Sequence, residues 1–78
     1  MSDVTGRLVK CFGAVFPSLG REETLAATTE SVAEWDSLAS LTLVAVIEEE
    51  FEVTVDDLDL SELGSFSAFD EYVREQVA

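Results

Sequence analysis

Seventeen acidic side chains against four basic ones leave this chain of 78 residues with a formal charge of −13, which sets a single small domain as the upper bound and argues against nucleic acid, whose phosphates require clustered Lys and Arg. Hydrophobic residues make up 47% and the aromatics run from Phe12 to Tyr72, so the chain is too apolar for disorder and both ends should feed one core. His is absent and Cys11 is the single cysteine, which removes the commonest general base, an internal disulfide and a multi-cysteine zinc site.

In chain order, Val4, Leu8, Cys11, Phe12 and Val15 recur at three and four residues and predict an amphipathic helix. Ser2 or Asp3 can cap its start, and Pro17 with Gly20 ends it. Cys11 falls on the apolar stripe, the place of a buried and inert thiol. Asp3, Arg7 and Lys10 interrupt the stretch from Met1 to Phe16, so it does not read as a signal peptide. No run approaches the roughly 20 apolar residues of a membrane span. A cytoplasmic protein is expected, without membrane insertion.

From Ser18 to Trp35 the sequence is polar and mixed. Arg21 to Leu25 could form one turn of helix, but the segment reads as a long loop, and loops of that length are often functional. Asp36 or Ser37 then caps a helix running to Phe51. At about 100° per residue, Leu38, Leu41, Leu43, Val44, Ala45, Ile47 and Phe51 cover a broad arc, which predicts a central helix packed against at least two others. The strip expected to stay exposed is Ala39, Thr42, Val46, Glu49 and Glu50.

Val53 to Val55 alternates like a strand but has no partner, and is read as an extended connector. Asp56 to Leu63 can make a short helix ending before Gly64. Ser65 caps a last helix with the stripe Phe66, Phe69, Tyr72, Val73 and Val77. The expected fold is all-α, a small four-helix bundle of three main helices and one short one.

An enzyme is not expected, since the chain has no His, no usable Cys and no Gly-rich phosphate loop. No metal site is expected either. Asp57, Asp59 and Ser61 could begin a calcium loop, but Glu62 stands where the turn needs Gly and Ala68 where a bidentate Glu is required. Asp36-Ser37-Leu38 remains, at the junction of the long loop and the long helix. Asp and Ser are favoured there as ordinary caps, because their oxygens accept free backbone N–H groups.

More than three residues are involved. Trp35-Asp36-Ser37-Leu38, followed by Leu41 to Ile47 and then Glu48-Glu49-Glu50-Phe51, resembles the acyl carrier protein family. In that family an Asp-Ser-Leu opens the second helix, which closes on acids and Phe. Val53 to Val55 is similar to its connector, and Tyr72-Val73 to an aromatic-aliphatic pair in its last helix.

The resemblance implies that a phosphopantetheinyl transferase attaches the arm of coenzyme A to Ser37 as a phosphodiester. The arm's thiol would then carry an acyl group as a thioester. Asp36 would orient Ser37 or a metal during transfer, and Leu38 would pack under the arm. A monomer is implied that catalyses nothing and delivers cargo to acyl-transfer or synthase enzymes bearing basic patches. The pathway would be fatty-acid, polyketide or specialised biosynthesis. Contact would be made through Ala39, Thr42, Val46, Glu49 and Glu50. An aminoacyl, peptidyl or D-alanyl carrier would share the serine and the bundle, whereas a non-carrier acidic interaction domain would use Ser37 only as a cap.

Glu34 stands where the family usually has Gly, and Trp35 before Asp-Ser-Leu is more like stand-alone carriers of specialised pathways. Trp35 either docks on the bundle or meets a partner or the arm. Phe69 takes a place where many relatives have a small residue near the acyl pocket. It either restricts cargo to short or polar groups or repacks the core.

Overall fold

Asp3 starts the first helix: its Oδ1 accepts from the Gly6 amide at 3.1 Å, satisfying one of the free N–H groups at a helix start. The computed structural model describes residues 3–56 and 60–77. Within them the chain forms four helices: α1 over Val4–Val15, α2 over Arg21–Leu25, α3 over Ser37–Phe51 and α4 over Phe66–Val77. None is long and apolar enough to cross a membrane.

The segment Arg21–Leu25 is helical, where a loop was expected. Its cap is Gly20, whose amide donates to the Glu23 carboxylate at 2.9 Å. The Thr24 side chain closes the turn by donating to the Gly20 carbonyl at 2.8 Å and is itself buried. The short helix expected over Asp56 to Leu63 has its residues 57–59 outside the described ones, and with them go the candidate calcium ligands Asp57 and Asp59. The connector Val53 to Val55 is neither helix nor strand. Val55 is buried, and its amide donates to the Glu48 carboxylate at 2.8 Å.

The core is aromatic. Phe12 lies at its centre, with ring centroids 5.0 Å from Phe66, 5.4 Å from Trp35 and 5.8 Å from Phe69, all edge-on. Each such pair contributes about 0.5–1.5 kcal/mol beyond the area it buries. Leu8, Leu43, Ile47 and Val73 are fully buried around it, as is Thr24.

The central element is α1, which packs on α2, α3 and α4, while α3 meets α1 along one side. This corrects the expectation that α3 is central. Its buried stripe is narrow: Leu43, Ile47 and Phe51, flanked by half-buried Ala39, Val44 and Val46. Leu38, Leu41 and Ala45, expected in the buried arc, lie on the opposite, exposed face. The last helix keeps its expected cap, with Ser65 Oγ accepting from the Ala68 amide at 3.1 Å. Its stripe buries Phe66, Phe69 and Val73, leaves Tyr72 half-buried and exposes Val77.

Arg7 ties α1 to the end of α3. Its guanidinium donates to the Glu50 carboxylate at 2.8 Å and the Glu50 carbonyl at 2.5 Å, and lies 4.5 Å from the centre of the Phe51 ring. A cation beside free carbonyls at a helix end is favoured by the helix dipole.

Candidate functional site

The segment between α2 and α3 has no sustained periodicity, yet its path is fixed by backbone and side-chain bonds. Thr28 and Ser65 form an isolated antiparallel bridge, with the Phe66 amide donating to the Ala27 carbonyl at 2.9 Å and the Thr29 amide to the Gly64 carbonyl at 3.0 Å. Thr28 and Ser31 cap each other, each amide donating to the other's hydroxyl, at 2.9 and 3.0 Å. Val32 and Trp35 then turn inward, each 4% exposed, and plug this end of the bundle.

Trp35 therefore docks on the core, against Phe12, Phe16 and Phe69. The polar edge of its indole is satisfied as well, since Nε1 donates to the Ser40 hydroxyl at 2.8 Å. This anchor sets the direction in which the chain enters α3. Asp36 follows in an extended conformation, with φ −102° and ψ −172°. Its Oδ1 accepts from the Ala39 amide at 2.8 Å, and its carbonyl accepts from the Ser40 amide at 2.9 Å. Asp36 is thus the cap, and Ser37 the first helical residue.

Ser37 is exposed, and among the described residues its hydroxyl has no hydrogen-bond partner. The Ser37 and Leu38 amides lie in the first helical turn, where no intrahelical acceptor exists. The hydroxyl thus sits at the positive end of a 15-residue helix. Beside it, Leu38 is 73% and Leu41 56% exposed, the two most exposed large hydrophobics among the described residues. An open cleft of about 400 Å³ adjoins the serine, lined by Ser37, Ser40, Leu41, Leu60 and Ser61.

The outward strip of α3 differs from the expected one. Ala39 and Val46 are half-buried against the core, and Glu50, although accessible, is engaged by Arg7. Thr42 and Glu49 are exposed as expected. The outward face is Leu38, Leu41, Thr42, Ala45 and Glu49. The reason is geometric: a helix apolar nearly all round cannot announce its buried side, and here the inward residues follow Leu43, Ile47 and Phe51 at a spacing of four.

Charge around this face is one-sided. No Lys or Arg occurs between Arg21 and Arg74. Apart from Glu50, which Arg7 of α1 engages, the carboxylates of α3 and of the segments on either side of it therefore have no basic neighbour in sequence. That gap was legible in the sequence, as the spacing between two arginines. Compared with known proteins, the chain matches no family model and no curated protein.

Proposed function

We propose that the protein is a cytoplasmic carrier of the acyl carrier protein type, with Ser37 as the attachment point of a phosphopantetheine arm. The reading is carried by one observation, the exposed hydroxyl of Ser37 at the capped and anchored start of α3. In the transfer, the Ser37 oxygen attacks the phosphorus of coenzyme A that bears the pantetheine. The pyrophosphate bond breaks, adenosine 3′,5′-bisphosphate leaves, and the serine proton passes to the transferase or to solvent. The product phosphodiester carries a negative charge beside the free amides of the first turn and the helix dipole, which stabilise an anion there.

Each neighbouring group has a role in this reading. Asp36 and Trp35 hold the helix start in place, so the hydroxyl is presented without a cost of ordering. Leu38 and Leu41 give the arm and the partner enzyme an apolar footing beside an otherwise acidic surface. The arm's thiol holds the cargo as a thioester, and tethering raises its concentration at a partner's active site. Partners with basic patches suit the uncompensated carboxylates, since opposite fields raise association rates more than they prolong contact. The contact strip in this reading is Leu38, Leu41, Thr42, Ala45 and Glu49.

Incubation with coenzyme A and a broad-specificity phosphopantetheinyl transferase, read by intact mass, tests the reading. Wild type gains one phosphopantetheine and Ser37→Ala gains none. An unmodified wild-type chain, beside a control carrier that is modified, leaves Ser37 as a helix cap neighbour and overturns the proposal.

A further inference from the structure

We propose that Ser40 is a second contact for the arm, its hydroxyl donating to the phosphodiester formed on Ser37, with Trp35 as the residue that positions it; this rests on the carrier reading above.

Attachment adds a negative charge beside Asp36, in a stretch with no Lys or Arg between Arg21 and Arg74. That charge is met by N–H and O–H groups or left to water. Two such groups are the amides of Ser37 and Leu38 at the start of α3. The Ala39 amide is already taken up by the Asp36 carboxylate, and the Ser40 amide by the Asp36 carbonyl. Among the side chains from Asp36 to Leu41, Ser37 itself apart, Ser40 alone has a hydroxyl proton to offer.

The placement of Ser40 favours this use. Residues three apart share one face of a helix, and helical side chains lean back over the turn before their own. Ser40 thus leans towards the turn of Ser37, and the bond from Trp35, which precedes the helix, holds the hydroxyl on that side. Thr24 and Thr42, also on helices, donate to the carbonyl four residues earlier, at 2.8 and 3.0 Å. Ser40 does not. Its oxygen accepts from the indole Nε1 at 2.8 Å, and among the described residues its own proton has no acceptor. The indole is buried against Phe12, Phe16 and Phe69, so the donor that holds Ser40 is itself fixed. An anion on Ser37 gives the Ser40 proton an acceptor. The Ser40 oxygen, polarised in turn, accepts more strongly from Trp35.

Coenzyme A and a broad-specificity transferase convert wild type and Ser40→Ala to the loaded form, checked by intact mass, and melting temperatures are compared before and after. Loss of the indole's acceptor weakens Ser40→Ala in both forms, so that purely structural effect cancels in the rise on loading. The expected rise is greater in wild type by about 4 °C or more, the scale of one hydrogen bond to a charged group in a domain of this size. Equal rises overturn the inference and leave the carrier reading intact. A second measurement needs no variant: the indole N–H resonance of Trp35 moves on loading of wild type, as its hydrogen bond strengthens. An unmoved resonance also overturns the inference. Wild type that does not load overturns the carrier reading, and this inference with it.

Discussion

The indole of Trp35 and the hydroxyl of Ser40 are joined at 2.8 Å across the start of α3, so the residue before the cap is pinned to the first turn after it. Ser37 lies between them in sequence and is left outside the bond. Ser40→Ala removes the acceptor while the indole N–H stays buried, and a buried donor without a partner costs about 1–3 kcal/mol. Urea denaturation followed by the fluorescence of Trp35, the single tryptophan, should show a lower midpoint with an unchanged slope.

The two glycines of α1 predict different responses to the same change. A Cβ at Gly13 would meet nothing within 4 Å, so Gly13→Ala should stabilise the domain by about 0.5–1 kcal/mol through helix propensity alone. A Cβ at Gly6 would run into the Asp3 carboxylate that caps the helix. Gly6→Ala displaces that cap, and losing it costs about 1 kcal/mol, which offsets the gain in propensity. Melting temperatures of the two variants check the sign of each.

Burial raises the Cys11 thiol to about 11, with the nearby Glu50 carboxylate adding to the shift and Arg7 opposing it. A thiol raised in the folded state favours folding while both states are protonated. Its contribution is therefore complete below about pH 9 and is lost as the pH rises towards 11. Alkylation by iodoacetamide at pH 8 should be far slower than for a free thiol and should accelerate only with unfolding by urea. Fast alkylation of the folded chain would show that Cys11 is accessible.

With 17 acids and four bases, repulsion between carboxylates opposes folding in dilute buffer. Moderate salt shortens the range of that repulsion to about 10 Å or less, so the melting temperature should rise between ~10 and ~150 mM ionic strength. Only two ion pairs occur among the described residues, Arg7 with Glu50 and Arg74 with Asp70, both partly exposed, and their screening works in the other direction. A falling melting temperature would mean that these pairs outweigh the net charge.

What the sequence disclosed depended on contrast. In α1 and α4 apolar and polar residues alternate at helical spacing, and the buried faces follow from the pattern. Leu38 to Ile47 offers little such contrast, so the helix was evident but its inward side was not. Leu38, Leu41 and Ala45 are as apolar as the residues that do enter the core. The short helix α2 was missed because five residues are too few for periodicity, and because its cap is Gly20 rather than a residue with a capping side chain. Glu23, three residues on, was the available signal. The exposed position of Ser37 followed from Asp36 as a cap. The bridge between Thr28 and Ser65 had no local signature, since it depends on backbone atoms brought together by the rest of the chain.

The hydrogen bonds of that bridge need no particular side chain. The ties at Ala27, Thr29, Gly64 and Phe66 run from peptide to peptide, so this stretch of the route to Ser37 is held by groups that nearly every amino acid supplies, while Thr28, Ser31 and Trp35 hold the rest through their side chains. The exposed positions Thr29 and Glu30 could therefore be rewritten, proline apart where an amide must donate, and the serine would still arrive at the same point in space. The approach to the helix can in this way vary at Thr29 and Glu30 without rebuilding the domain beneath it.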